Sequence, residues 1–135
     1  MNAYRAVTEL VRDTKPEHVL EIGTKLGKRA AEFMAVSNCY YTGFDLFEEA
    51  GGRNFEMIDV GKQLVMQGFS KFMLVRGNTK ETLPKVRDVL PFDFAFIDGG
   101  EEEFEHDLEW VKKNITPDGT IVSIAEGQLR ITNGH

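Results

Sequence analysis

Short apolar runs of strand character alternate along this chain with stretches whose apolar residues recur three and four positions apart. Tyr4, Val7, Leu10 and Val11 predict an opening amphipathic helix, which Pro16 ends. His18 to Ile22 predicts a strand apolar enough to be central. From Gly27, the positions Ala30, Ala31 and Met34 predict a helix whose small-residue face can pack close to a sheet. Tyr40 to Leu46 predicts a second strand, with Asp45 near its end. Glu48 to Glu56 is polar, contains Gly51-Gly52 and predicts a loop. Val60, Leu64 and Val65 predict the next helix, with Asp59 placed to cap it. Phe72 to Val75 predicts a third strand, followed by Arg76-Gly77-Asn78-Thr79. A helix is expected around Leu83 to Leu90. Two starts fit it: a capping box from Asn78 with Glu81, or a later start near Thr82 favoured by Pro84. Phe92 to Ile97 predicts a strongly apolar fourth strand that ends in Asp98-Gly99-Gly100. Phe104, Leu108, Val111 and Ile115 mark the buried face of another helix, with Trp110 off that stripe and half-buried. Thr116-Pro117-Asp118-Gly119 is a turn, Thr120 to Ala125 a fifth strand, and Leu129 to Thr132 has room for one short extra strand.

Apolar strands separated by helical segments form a parallel sheet covered on both faces. The expected fold is therefore α/β: one domain over residues 1–135, mainly parallel, with helices on both faces; read as a Rossmann-like, doubly wound sheet, it is expected to have strand order 3-2-1-4-5. Such sheets bind ligands at the carboxyl ends of their strands, where the strand order reverses. The Gly23–Gly27 turn, Asp45, Asn78 and Asp98 all fall at such ends. Their shared position points to a ligand site more strongly than any one motif.

The net charge of −6 argues against non-specific binding to nucleic acid or to an anionic membrane, since both require a cationic surface. No apolar run approaches the roughly 20 residues of a membrane span, and Met1 to Arg5 holds no apolar signal core. Cys39 is the single cysteine, which excludes an internal disulfide framework and a cysteine-based zinc site. It is expected as a small buried hydrophobe, and a reducing cytoplasm suits the chain.

Val19 to Gly27 runs from a buried-type strand through a glycine turn into a helix. N–H groups at such a corner point outward, and glycines admit a ligand close to the main chain. The same glycines also serve tight strand–helix packing. The spacing is Gly23-x-x-x-Gly27 rather than Gly-x-Gly-x-x-Gly, which weakens a dinucleotide-phosphate reading. Glu21, two residues before the turn, suits a ligand that carries positive charge.

Four blocks in succession resemble the class I S-adenosylmethionine-dependent methyltransferases, in their small O-methyltransferase-like branch. They are Glu21-Ile22-Gly23-x-x-x-Gly27, Tyr41 to Phe47, Gly77 to Pro84, and Phe92 to Gly100. The resemblance covers about residues 17 to 125 and implies S-adenosylmethionine as cofactor. It implies that Glu21 and the turn Gly23, Thr24, Lys25 and Gly27 hold the methionine part. Asp45 takes the ribose hydroxyls, Leu46 lies against the adenine, and Asn78 and Thr79 border its edge. Asp98 lies beside the sulfonium and the incoming substrate. Acids on this rim suit a positive sulfonium and ammonium, where a phosphate cofactor would want cations and N–H groups.

The departures bear on the substrate half. Relatives often carry histidine after Asp-Gly-Gly, where this chain has Glu101, and a fifth strand ending in paired aspartates, where it has Ile124-Ala125-Glu126. They continue for two more strands, whereas only Gly127 to His135 follow here, so the substrate half is expected to be reduced or supplied from elsewhere. The leading expectation is methyl transfer to a small-molecule hydroxyl or similar nucleophile, with Asp98 or Glu101 deprotonating or orienting it. The alternative is a non-catalytic S-adenosylmethionine-binding module or truncated remnant acting in an oligomer. A nicotinamide-nucleotide protein is a weaker third reading, because an acid on ribose serves either cofactor. The acids Glu101, Glu102, Glu103, Glu105, Asp107 and Glu109 read as a solvated helix start, with no metal ligand spacing. His106 is expected on the polar face of that helix, and neither it nor His18 or His135 is placed as a base. If the fifth strand is an uncovered edge, a homodimer through that edge is expected.

Overall fold

The computed structural model describes residues 3–47, 56–86, 89, 91–125 and 127–133; the side chains of Glu101, Ala125 and Asn133 are outside that description. Helix α1 (Ala3–Thr14) leads into β1 (His18–Ile22), α2 (Lys28–Ser37), β2 (Tyr40–Asp45), α3 (Met57–Met66) and β3 (Phe72–Arg76). Then come α4 (Thr79–Thr82), β4 (Phe94–Ile97), α5 (Phe104–Asn114), β5 (Thr120–Ala125) and β6 (Gln128–Asn133). The sheet order is β3-β2-β1-β4-β5-β6. The first five strands are parallel, in the expected order 3-2-1-4-5, and β6 runs antiparallel to β5.

Strand periodicity assigns the two faces. Val19, Tyr41, Phe94 and Phe96 point to one side and pack with Val7 and Val11 of α1, Ala30 and Phe33 of α2, and Val60 and Leu64 of α3. Leu20, Ile22, Phe44, Ala95 and Ile97 point to the other and pack with Leu83 and with Val111 and Ile115 from the α5 side. Glu21 therefore faces the α1–α3 layer along with Val19. Each parallel crossover carries its helix back over the sheet, which buries the central strands on both faces. Cys39 is buried, and Trp110 is half-buried and stacked on Phe92 with ring centroids 5.9 Å apart. No helix among the described residues is long and apolar enough to cross a membrane.

Several expected boundaries move. β2 stops at Asp45 because its carboxylate accepts the Phe47 N–H at 3.0 Å, turning the chain. α3 starts at Met57 with Glu56 as its N-cap, so Asp59 lies in the first turn and is not the cap. The helix expected over Leu83 to Leu90 is replaced by α4 and a 3-10 turn, Leu83–Lys85, after which Val86 is extended. Pro84 lies at the start of that turn, where its missing N–H costs no bond; residues 87, 88 and 90 lie outside the described set, as does the expected loop over 48–55. β4 begins at Phe94 rather than Phe92, because the Asp93 carboxylate instead accepts the N–H groups of Glu17 and His18 at 3.1 and 3.0 Å. β5 is not an edge. β6 pairs with it from Ala125↔Gln128 to Thr120↔Asn133, so a second copy cannot pair there.

Gly127, just before β6, has φ +75°, and among the described residues no atom outside its chain neighbours lies within 4 Å of the place a Cβ would take. Gly23 has φ +103°, and a Cβ there would overlap the Asp98 carbonyl oxygen. Gly127→Ala is expected to cost only the backbone term, roughly 1–2 kcal/mol. Gly23→Ala should cost distinctly more, because the obstacle is backbone and cannot rotate away. Urea unfolding of the two variants checks the order.

Candidate functional site

The carboxyl ends of β1, β2 and β4 lie side by side in the middle of the sheet and converge on Gly23. The Gly23 and Thr24 N–H groups both donate to the Phe44 carbonyl, at 2.7 and 3.3 Å, and the Asp98 N–H donates to the Ile22 carbonyl at 2.8 Å. The Gly27 N–H donates back to the Thr24 carbonyl at 3.0 Å, and a Cβ on Gly27 would lie 2.9 Å from Val60 Cγ1. This corrects the expectation of outward N–H groups at the corner: those of Gly23, Thr24, Lys25 and Gly27 all bond within the protein. Packing accounts for both glycines.

Asp45 closes one side of the site. Its Oδ2 accepts the Lys25 N–H at 2.7 Å and its Oδ1 the Phe47 N–H at 3.0 Å. Lys25 and Phe47 both hold left-handed backbone, φ +52° and +53°, which turns their N–H groups onto this carboxylate. Leu46, next to it, is 45% exposed on the rim. Gly77 N–H donates to the Asp45 carbonyl at 3.0 Å and so joins the β3 end to the β2 end. Asn78 follows, and its side chain accepts the Lys80 N–H at 2.9 Å as the N-cap of α4. The capping start of that helix is thus the one realised. Thr79 is buried behind it.

Glu21 has no exposed surface. Its Oε1 accepts the Tyr41 hydroxyl, and its Oε2 lies 3.6 Å from Arg29 Nε without a hydrogen-bond partner. Its cross-strand neighbour is Gly43, and a side chain there would overlap the Thr24 hydroxyl and crowd the Tyr41 phenol. The gap left by Gly43 lets Tyr41 lean along its strand to reach the carboxylate. Burial pushes the Glu21 carboxyl up to about 7, against the pull of Tyr41 and Arg29. Burial and the Glu21 charge likewise hold the Tyr41 hydroxyl well above its usual range.

Asp98, 12% exposed at its side chain, stands beside this cluster. Its Oδ2 accepts the Tyr4 hydroxyl at 2.8 Å and lies 3.5 Å from Lys25 Nζ. The Arg29 guanidinium stacks 4.1 Å over the Tyr4 ring. Glu21, Gly23, Thr24, Lys25 and Asp98 are therefore brought together, Lys25 links them to Asp45, and Asn78 with Thr79 joins through Gly77. Glu101 opens a 3-10 turn, Glu101–Glu103, after Asp98; its side chain lies outside the described set.

Three members of the cluster escape sequence reasoning: Tyr4, Arg29 and Tyr41. A hydroxyl on the apolar face of α1 is the one signal for Tyr4. Arg29 has none, since a cation in the first turn of a helix reads as surface. The acidic run is also only partly solvated. Glu102, Glu105 and Glu109 are exposed, but Asp107 is fully buried. It falls on the stripe of Phe104 and Val111, three residues after one and four before the other. His106 Nδ1 lies 3.1 Å from Asp107 Oδ1, and burial pushes the Asp107 carboxyl up. No group of three or more His, Cys, Asp or Glu side chains among the described residues is arranged to hold a metal.

Glu21 makes stability depend on pH in a sense opposite to an ordinary surface acid. Its folded value of about 7 lies above the ordinary 4.5, so folding takes up a proton between those values. Its contribution therefore falls as pH rises through that window. Melting temperatures of the native protein and Glu21→Gln, compared from pH 4.5 to 8, should diverge in the variant's favour as pH rises; parallel curves would remove the buried-acid account.

The methyltransferase-domain family matches residues 20–123, more than half of the chain. No curated protein matches. Among solved structures, the O-methyltransferase from Bacillus cereus in complex with S-adenosylhomocysteine is 18% identical with a TM-score of 0.73, over 89% of this chain and 54% of that one. The O-methyltransferase TomG from Streptomyces achromogenes, involved in tomaymycin synthesis and solved with S-adenosylmethionine, is 18% identical with a TM-score of 0.73, over 89% and 53%. The S-adenosylhomocysteine-bound methyltransferase PaMTH1 from Podospora anserina is 17% identical with a TM-score of 0.73, over 89% and 50%. The chain thus spans about half the length of these structures, and at such identities the likeness is one of fold. With the family matched across all five parallel strands, the chain belongs to the methyltransferase-domain family, among the class I methyltransferases that its four sequence blocks resemble.

Proposed function

We propose that this chain binds S-adenosylmethionine and transfers its methyl group to a hydroxyl or similar nucleophile of a small molecule. The observation that carries the reading is the two carboxylates Asp45 and Asp98, at the ends of the strands that flank β1, beside a glycine turn whose Gly23, Thr24, Lys25 and Gly27 N–H groups are already bonded. Such a site suits positive charge and hydroxyls and offers little to a pyrophosphate. The S-adenosylmethionine and S-adenosylhomocysteine named for the solved relatives agree with it.

The residues fit that cofactor. Each Asp45 oxygen accepts one backbone N–H and keeps further acceptor capacity, enough for two neighbouring ribose hydroxyls. The exposed side chain of Leu46 offers a surface for the adenine, with Asn78 and Thr79 at its edge. Lys25 and the Gly23–Gly27 turn border the amino-acid part. Glu21, lacking surface, acts from beneath through Arg29 and Tyr41 rather than by touching the ligand. When bound, S-adenosylmethionine supplies a methyl carbon on a positively charged sulfur. Asp98 lies close to that charge and, with Glu101, orients the nucleophile or takes its proton. Holding the nucleophile about 3 Å from the methyl carbon and in line with it supplies much of the rate. The compartment proposed is the cytoplasm, since the one cysteine, Cys39, is free and buried.

Calorimetry with S-adenosylmethionine, S-adenosylhomocysteine and NAD tests the cofactor. Micromolar binding of the first two is expected, weakened at least about tenfold in Asp45→Ala. Binding of NAD alone, or of none of the three, would overturn the reading. Asp98→Asn combined with Glu101→Gln should lower turnover about 100-fold or more, measured as methyl-group release to a panel of small hydroxyl compounds. A fully active double variant would strip both residues of their roles. Binding without turnover in the native protein would mark a non-catalytic module.

A further inference from the structure

We propose that Tyr4 is a positioning residue for Asp98, and that α1, which precedes the matched residues 20–123, is thereby part of the ligand site. The inference rests on the cofactor reading above and deepens it.

The ring of Tyr4 makes packing contacts that a phenylalanine ring would make as well. Val7 and Val11 are the fully buried residues of α1. The Tyr4 ring meets Phe96 edge to face, with centroids 6.2 Å apart, and carries Arg29 on its face. Both contacts belong to the ring. The hydroxyl reaches past them to Asp98 Oδ2, 94 residues away in sequence. α1 is held in place for this by Thr8, whose hydroxyl donates to Glu32 of α2 at 3.3 Å.

Asp98 has a second claimant on the same oxygen, the Lys25 ammonium at 3.5 Å. That ammonium lies on a half-exposed, flexible stem, whereas the phenol lies on a packed ring. With the phenol in place, Oδ2 is held toward α1 and shared, and the carboxylate stays on the rim beside the ligand's charge. Without it, the carboxylate is free to swing onto Lys25, and its negative charge is spent on an internal cation. A positively charged ligand then loses more than a neutral one of the same shape. S-adenosylmethionine and S-adenosylhomocysteine are such a pair: they share adenosine and the amino-acid tail and differ in a charged methylsulfonium against a neutral thioether.

The test is calorimetry of both ligands against the native protein and Tyr4→Phe, with melting temperatures alongside. A second measurement needs no ligand: NMR titration of tyrosine labelled with 13C at the phenolic carbon, in native protein and Asp98→Asn, with Tyr4→Phe assigning the Tyr4 signal. Tyr4→Phe should weaken S-adenosylmethionine about fivefold or more while S-adenosylhomocysteine changes less than about twofold. The Tyr4 phenol, which burial and its bond to Asp98 hold above the usual range, should ionise at lower pH once Asp98 is removed. Equal loss of both ligands, or no loss of either, would overturn the proposal, since a structural tyrosine moves both alike. If the native protein binds neither ligand, the cofactor reading falls. The phenol titration then decides the Tyr4–Asp98 link by itself: a lower midpoint in Asp98→Asn upholds it and an unchanged one ends it.

Discussion

The corner at Gly23 is the constraint on which the site depends. The β1 and β4 ends approach so closely there that any Cβ would overlap the Asp98 carbonyl oxygen. The same approach lets Asp98 N–H reach the Ile22 carbonyl and lets Gly23 and Thr24 share the Phe44 carbonyl. Three strand ends are thereby fastened beyond their ladders. Asp98, Asp45 and Lys25 inherit their positions from that junction, because each follows within a few residues of it or bonds to a residue that does.

A buried charge lies directly behind this junction. Taking a carboxylate out of water is costly, and one hydroxyl with one guanidinium at 3.6 Å offsets only part of the cost for Glu21. Its carboxyl rises to about 7 as a result. The arrangement nonetheless gives Arg29 a reason to lie flat between α2 and the Tyr4 ring, where its own side chain is only 15% exposed. Buried acid, stacked cation and phenol thus form one unit joining α1 and α2 to the sheet, and its outer end is Asp98.

The chain spans about half of each solved relative described above, yet the match across residues 20–123 takes in every parallel strand. β6 occupies the flank of β5 that the fifth strand would otherwise present as an edge. The described residues therefore include the carboxyl ends of β1, β2, β3 and β4, the side on which α/β sheets generally take their ligands.

Much of this was legible along the chain. His18 to Ile22 is a strand over those very residues, the alternation of periods pointed to a parallel sheet covered on both faces, the order 3-2-1-4-5 came with the Rossmann-like reading, and Asp45 and Asp98 stand at strand ends as expected. Periodicity is a local property, and each element records which of its faces is buried. The failures have one cause in common. The stop after Lys85, the full length of β6 and the burial of Asp107 all depend on what lies opposite. Leu129 to Thr132 shows strand character but not its partner, and Glu21 shows an acid but not the Arg29 and Tyr41 that enclose it. The sequence by itself determined the elements, their order and the acidic rim. The tertiary structure alone decided that Tyr4 meets Asp98 across 94 residues, because that contact comes from the docking of α1 on the sheet and from no pattern within either segment.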